Sequence, residues 1–244
     1  MQKLLIKGKK DLTGTISISG SKNATLPILA ASILGDKVKL SNVPFVKDIF
    51  TMLELLKFIG VESKIIKKKK LIELKKTNKK INTLAPYKLV KTMRAGVLVL
   101  GPLLTKYKKA KVSLPGGCAI GTRPVDLHLF ALKKLGANIK IKNGYIIAEA
   151  KNGLVGARIN FPSVSVGATE NALLSAFAAK GKTIISNCAV EPEIIDLINF
   201  LRKLGSKIMI SGRKITVNGK SYSKKKIYHK VIFDRIEAGT YLIA

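Results

Sequence analysis

The chain has 244 residues, of which 47% are apolar, 24% charged and 6% aromatic, enough apolar content for a buried core and enough length for one or two domains. Its two cysteines, Cys118 and Cys188, and two histidines, His128 and His229, exclude a disulfide-stapled scaffold and argue against a metal site built on either residue type. The net charge of +31 rests on 39 lysines and only six arginines, without tryptophan, which favours lysines spread over solvated faces over a nucleic-acid groove built from arginine forks and stacking rings.

The first ten residues lack the apolar stretch and cleavage site of a signal peptide, and the longest apolar runs are far shorter than a membrane span. The expectation is a soluble cytoplasmic protein with reduced thiols. Residues 25–34 read as a helix that is apolar on most sides, as a buried helix must be. A strand at 37–42 follows, then a second helix at 48–60, then two strands at 64–67 and 71–74 joined by a lysine turn. The order returns with a small-residue helix start at 93–102, a strand at 111–115, a helix at 125–135 and a hairpin of 137–141 with 145–148 through Asn143-Gly144. It returns again at 170–179, 182–187, 193–205, 207–210 and 214–217, the last two turning through Ser211-Gly212.

The first and third copies keep a constant offset of 145 residues at Ser41/Ser186, Asn42/Asn187 and Gly60/Gly205. The second helix of each copy ends at a glycine, Gly60, Gly136 or Gly205, with a lysine or arginine in the turn before it, which is a C-cap signal suited to the negative helix end. The unit is helix–strand–helix–strand–strand after an extended lead-in. Three such units predict one inside-out α/β domain, with sheets around buried helices. From Phe233 onward the chain reads as the start of a fourth unit whose helix has barely begun at Ala244, which predicts a truncated sequence.

Four segments break the repeat. Gly20-Ser21-Lys22-Asn23-Ala24 precedes a buried helix, where backbone N–H groups and a lysine can bind an anion. Residues 114–128 place Gly116, Gly117 and Gly121 around Cys118, with Arg123, Asp126 and His128 behind; flexible backbone and a nearby arginine favour a reactive thiol beside a site for a nucleotide or sugar diphosphate. Cys188, after a strand, reads as structural. Residues 162–170 are small ahead of another buried helix and permit a close backbone approach. Asp234-Arg235-Ile236-Glu237 opens the unfinished unit. Arg94, Arg123 and Arg235 fall at equivalent entry positions of the units or in these segments, in a chain that otherwise chooses lysine, as expected where planar bidentate donors meet phosphate or carboxylate.

These segments together, with Thr92-Met93-Arg94-Ala95 and Glu191-Pro192-Glu193, resemble the UDP-N-acetylglucosamine 1-carboxyvinyltransferases of the enolpyruvyl transferase family. The likeness runs from Met1 to Ala244 and is most specific at the cysteine loop, which the shikimate-pathway relatives lack. It implies transfer of enolpyruvate from phosphoenolpyruvate to the 3-hydroxyl of UDP-N-acetylglucosamine with release of phosphate, the first committed step of peptidoglycan synthesis, with no cofactor and no metal. It implies that Lys22 contacts phosphoenolpyruvate, that Asn23 bridges to the sugar, and that Arg94 binds substrate between domains. Cys118 would protonate the methylene carbon and be the target of fosfomycin. Arg123, Pro124, Val125, Asp126 and Leu127, with Ser163, Val164, Ser165 and Val166, would hold the uridine and diphosphate, and Arg235 would join the substrate-binding set. Ser163 stands where some relatives carry lysine.

The resemblance further implies that residues 1–21 are strands of a second domain, 22–231 the first domain of three repeats, and 232–244 the start of the second domain, which is largely missing together with its carboxylate base and further arginines. The partners expected are the two small-molecule substrates, with neither nucleic acid nor membrane. The competing expectations are an RNA-end-processing protein of similar repeat architecture and a non-catalytic paralogue that binds the UDP-sugar.

Overall fold

In the computed structural model, which describes residues 5, 8, 13–77, 81–116, 125–219 and 226–243, one supersecondary unit occurs three times along the chain. The first copy comprises α1 (Lys22–Ala31) with a 3-10 turn at Ser32–Leu34, β1 (Lys37–Ser41), α2 (Lys47–Ile59), β2 (Val61–Ile66) and β3 (Leu71–Lys76). The second comprises β4 (Leu84–Ala85), the single turn α3 (Tyr87–Val90), a 3-10 segment Arg94–Val99 running into α4 (Leu100–Tyr107), β5 (Lys109–Ser113), α5 (Asp126–Lys134), β6 (Asn138–Lys142) and β7 (Tyr145–Glu149). The third comprises β8 (Arg158–Asn160), α6 (Val166–Ala176), β9 (Lys182–Ser186), α7 (Pro192–Lys203), β10 (Lys207–Ser211) and β11 (Lys214–Asn218), and the chain continues through β12 (Lys226–Lys230) and α8 (Arg235–Ile243).

Each copy builds a four-stranded sheet of one topology. The orders are β4-β5-β7-β6 and β8-β9-β11-β10, with the lead-in strand parallel to its neighbour and the remaining pairs antiparallel. Among the described residues the first copy has no lead-in strand of its own. Its place is taken by β12 from the far end of the chain, parallel to β1, with Lys37 opposite Lys226 and Ser41 opposite Lys230. Without β12 the buried row of β1 would end in unpaired backbone groups at a sheet edge. Repeat logic implies an extended lead-in for each unit but not this closure, because nothing local links residues 226 and 37.

The sheets alternate cleanly. Val38 and Leu40 of β1 and Ile215 and Val217 of β11 are buried, while Lys37, Lys214 and Asn218 face out. The lysine charge therefore lies outside, and the interior holds the helices. Every residue of α1 from Ala24 to Ala31 is buried, as is every residue of α6 from Ala168 to Ala176. Helix α1 packs on α2 and α7, and α4 and α5 pack on α6.

The three C-cap glycines have left-handed or neighbouring backbone, φ 115° at Gly60, 88° at Gly136 and 105° at Gly205, a region closed to most side chains. The 93–102 stretch departs from the expected α-helix start, being 3-10 through Val99 and α-helical only from Leu100. Pro102 contributes to this, since it has no N–H to give to the carbonyl of Leu98 in a regular α-helix. Helix α6 begins at Val166, four residues before the expected start, and ends at Ala176.

The two ends of the chain meet. Ser21 N donates to Ile232 O (2.8 Å), Asp234 N to Ser19 O (2.9 Å) and Ser19 N to Glu237 Oε2 (2.8 Å). His229 Nε2 lies 2.9 Å from Asp196 Oδ1 in the interior, and Ile232 N donates to the other carboxylate oxygen at 3.3 Å, which pins β12 and its exit to α7. Among the described residues no helix is long and apolar enough to cross a membrane.

Candidate functional site

Helices α1 and α6 start on the same sequence, Ser-x-x-Ala-Thr, at Ser21–Thr25 and Ser165–Thr169. Each serine is an N-cap whose hydroxyl accepts from the backbone N–H three residues on, Ala24 (3.2 Å) and Ala168 (3.3 Å). Each threonine hydroxyl donates back to its serine carbonyl at 2.7 Å. The caps leave other first-turn N–H groups available and aim the positive ends of two helix dipoles at common ground.

That ground is a cavity of about 350 Å³. Asn23, Leu26 and Pro27 of α1 form one wall, and Arg94, Ala95, Val97 and Leu98 of the 3-10 segment a second. His128 of α5 and Ser165, Val166, Gly167 and Glu170 of α6 form a third, and Glu191, Glu193 and Arg235 close the rim. Pro27 inside α1 leaves the carbonyl of Asn23 without its usual donor four residues on, so one more acceptor lies beside this wall. A Cβ on Gly167 would come within 3.1 Å of the His128 ring, and only glycine lets α6 and the imidazole approach so closely.

Of the expected site residues, the structure gathers Asn23, Arg94, Ser165, Val166 and Arg235 around this one cavity. Lys22 is not part of the cavity wall: its ammonium pairs with Asp48 Oδ2 at 3.1 Å, half exposed, at the start of α2. Val125 is buried and Leu127 partly buried against the core, Asp126 is exposed in the first turn of α5, and Ser163 and Val164 are exposed ahead of α6. Cys118, Arg123 and Pro124 lie outside the described residues. Cys188 is buried, its thiol directed to Arg213 O at 3.1 Å and pushed up in pKa by burial.

Charge in the cavity is balanced at close range. Arg235 Nε donates to Glu193 Oε1 and Oε2 at 3.0 and 3.3 Å, so the rim carries a bound pair. Glu170 is buried, and desolvation, with the like charges of Glu193 and Glu191, pushes it up to about 8, so at neutral pH its carboxyl is mostly protonated and can donate. Desolvation and the nearby Arg94 push His128 down to about 4, so the ring is neutral across the physiological range. An anion with both acceptor and donor groups suits such a mix: cationic arginines, helix N-termini, a neutral imidazole and a protonated acid. Among the described residues no group of three or more histidines, cysteines and carboxylates is placed to hold a metal ion.

The expected binding set does not include Glu170, Glu191 and Glu193, and His128 enters it only through the cysteine-loop segment beside a nucleotide site. A signal for the first was available: Glu170 is an acid inside an otherwise small and apolar helix, and such a group is tolerated only with a special partner or a special role. No sequence signal brings Glu191 and Glu193 to α6, because α7 reaches the cavity only through its packing on α1 and α6.

The profile of the EPSP synthase (3-phosphoshikimate 1-carboxyvinyltransferase) family matches residues 6–244. The UDP-N-acetylglucosamine 1-carboxyvinyltransferase of Pelagibacter ubique (strain HTCC1062) is 57% identical over 246 aligned positions, covering 100% of this chain and 58% of that protein. The enzyme of the same name from Rickettsia akari (strain Hartford) is 54% identical with the same coverage. The chain thus spans a little under three-fifths of the length of these curated relatives. Among solved structures, the enolpyruvyl transferase NikO from Streptomyces tendae superposes with a TM-score of 0.79 at 18% identity, over 96% of this chain and 55% of that one. An EPSP synthase from Acinetobacter baumannii superposes with a TM-score of 0.69 at 16% identity, over 89% of this chain and 49% of that one.

Proposed function

The chain belongs to the EPSP synthase (3-phosphoshikimate 1-carboxyvinyltransferase) family, and from that premise we propose that it forms the nucleotide-sugar-binding part of an enzyme that moves the enolpyruvyl group of phosphoenolpyruvate to the 3-hydroxyl of UDP-N-acetylglucosamine, releasing phosphate, in the cytoplasm. The observation that carries this reading is the convergence of Asn23, Arg94, Ser165, Val166 and Arg235 on one cavity, in a chain 57% identical to a protein named for that reaction. We assign residues 22–231 to one domain and residues 1–21 and 232–244 to the beginnings of a second. The pairing of Ser19, Gly20 and Ser21 with residues 232–237 supports this, since both chain crossings run side by side.

In this reading the first-turn N–H groups of α1 and α6, with Arg94, take the negative charge of the substrates, and they are fixed before the substrate arrives, so little reorganisation is needed as charge moves onto the departing phosphate. Asn23 spans the two substrates from the first turn of α1. Lys22 meets phosphoenolpyruvate after leaving Asp48. That exchange is inexpensive, because a half-exposed ion pair contributes little. Cys118 delivers a proton to the methylene carbon during addition, and Arg123, Pro124, Val125, Asp126 and Leu127, with Ser163 and Val164, hold the uridine and diphosphate.

The test is calorimetric titration of this chain with UDP-N-acetylglucosamine, with shikimate 3-phosphate as the competing family substrate, followed by mass spectrometry after fosfomycin treatment. Saturable binding of the nucleotide sugar alone, with one adduct at Cys118 and none at Cys188, is expected. Binding of shikimate 3-phosphate alone, or equal modification of the two cysteines, would overturn the reading. Steeply salt-dependent RNA binding in place of either ligand would turn it toward RNA-end processing.

A further inference from the structure

Asn171, fully buried in α6, makes three hydrogen bonds that leave its amide only one orientation. Its Oδ1 accepts from Gly101 N at 2.9 Å, a backbone group that can only donate. Its Nδ2 donates to Val97 O at 3.2 Å, a group that can only accept. The second Nδ2 proton faces His128 Nδ1 at 3.1 Å. With the amide fixed at both ends by backbone, Nδ1 of His128 must accept, so it bears no proton, and the neutral ring carries its proton on Nε2. Among the described residues Nε2 has no hydrogen-bond partner, and the ring forms part of the cavity wall beside Gly167.

The packing is committed to this arrangement. A Cβ on Gly101 would lie 2.5 Å from Asn171 Oδ1, so α4 and α6 meet at the one residue type that lets the amide reach backbone on both sides. Ser175 Oγ closes on Asn171 O at 2.7 Å from the next turn of α6. Three partners, from three helical segments, thus serve one side chain that does not itself line the cavity.

We propose that Asn171 is a positioning residue that holds His128 as the neutral, Nε2-protonated imidazole, and that this Nε2–H is an uncharged donor to an acceptor oxygen of the nucleotide sugar, a step that rests on the nucleotide-sugar reading. An uncharged donor has a purpose in this cavity. Arg94 and Arg235 already supply cations, and Glu191, Glu193 and the mostly protonated Glu170 line the same space, with Asp126 on the helix of His128 itself. A histidine free to protonate would change the cavity charge within the physiological range. The Asn171 donor and the closeness of Arg94 both oppose that.

The experiment is ring-nitrogen NMR of the chain labelled with 15N-histidine. There are only two histidines, and the His128→Gln spectrum identifies which signals belong to His128. At pH 7 and pH 5.5, without ligand, His128 is expected to show a proton-bearing Nε2 and a proton-free Nδ1. A ring with its proton on Nδ1, or an imidazolium at pH 5.5, overturns the positioning role. In Asn171→Asp the new carboxylate can only accept, so the proton should move to Nδ1 and the ring should titrate at higher pH than in the wild type. An unchanged tautomer in a folded variant counts against the proposal, and if that variant does not fold, the wild-type spectrum still decides. Saturating UDP-N-acetylglucosamine should shift Nε2 far more than Nδ1, and His128→Phe should bind it about tenfold more weakly, the loss of one neutral hydrogen bond. Binding without any shift at Nε2 overturns the donor role. If UDP-N-acetylglucosamine does not bind at all, the nucleotide-sugar reading fails while the tautomer result stands.

Discussion

The starts of α1 and α6 are the same device put to opposite uses. Ser21 and Ser165, Ala24 and Ala168, and Thr25 and Thr169 are equivalent across an offset of 144 residues, and their cap hydrogen bonds match to within 0.1 Å. The residues between and after them are inverted in polarity. Helix α1 has Lys22 and Asn23 in its first turn and then Leu26 and Pro27, whereas α6 has Val166 and Gly167 and then Glu170 and Asn171. One end thus presents polar side chains at its tip, the other presents bare backbone at its tip and a polar layer one turn deeper. The repeat keeps the residues that form the scaffold and varies those that face the cavity, which is how three similar copies can build one asymmetric site.

The deeper layer should be the more fragile. Gly101→Ala drives a methyl against Asn171 Oδ1 and its backbone oxygen, and should destabilise the chain by about 3 kcal/mol in urea denaturation, whereas a surface glycine such as Gly239 tolerates alanine. A loss below 1 kcal/mol would mean that the layer around Asn171 is looser than its geometry. Next in size is the contrast between the two cap threonines. Thr169 Oγ1 also accepts from Ala189 N at 3.0 Å, so Thr169→Val strands a buried N–H, while Thr25 has only its bond to Ser21 O. Costs of about 2 kcal/mol for Thr169→Val and about 1 kcal/mol for Thr25→Val are expected, and equal costs would erase the distinction.

The third difference is one of sign with pH. Glu170 stands where α1 has Leu26, and its folded pKa of about 8 lies well above the ordinary carboxyl value of 4.5. Its contribution to stability is therefore complete below 4.5 and is lost as pH rises through 8. His128 acts oppositely: with a folded value of about 4 against 6.5, its contribution is complete above 6.5 and fades as pH falls through 4. Urea midpoints of the wild type should fall relative to Glu170→Gln between pH 4.5 and 8, and parallel midpoints would show that Glu170 is not held protonated. The smallest effect belongs to the tip of α1. Asp48→Asn removes the partner of Lys22 but should change stability by less than about 1 kcal/mol, since both groups are substantially exposed. A larger loss would make that pair part of the scaffold.

Much of this was legible before the structure. Gly60, Gly136 and Gly205 mark helix ends because each needs a backbone conformation that few other residues adopt, and Asn143-Gly144 marks a hairpin for the same reason, with φ of 51° and 74°. The cavity residues Asn23, Arg94, Ser165, Val166 and Arg235 are named by the family resemblance, which draws most of its specificity from segments that the repeat does not explain. The second copy opens on a 3-10 segment before α4, a distinction that the small-residue pattern of 93–102 does not carry. The acids of α7 and the His128–Asn171 pair were not assigned, because their meaning depends on which helix lies opposite.

The sequence by itself determined the unit, its threefold use and the termini of its helices and hairpins, since caps, turns and apolar periodicity act over a few residues. Tertiary structure alone decided that β12 completes the sheet of β1, that the starts of α1 and α6 face one cavity, that Glu170 holds its proton and that His128 carries its proton on Nε2. Those outcomes rest on burial and on contacts between residues 43 to 189 positions apart, such as Asn171 with His128 and Asn42 with Val231, and such contacts exist only once the chain has closed on itself.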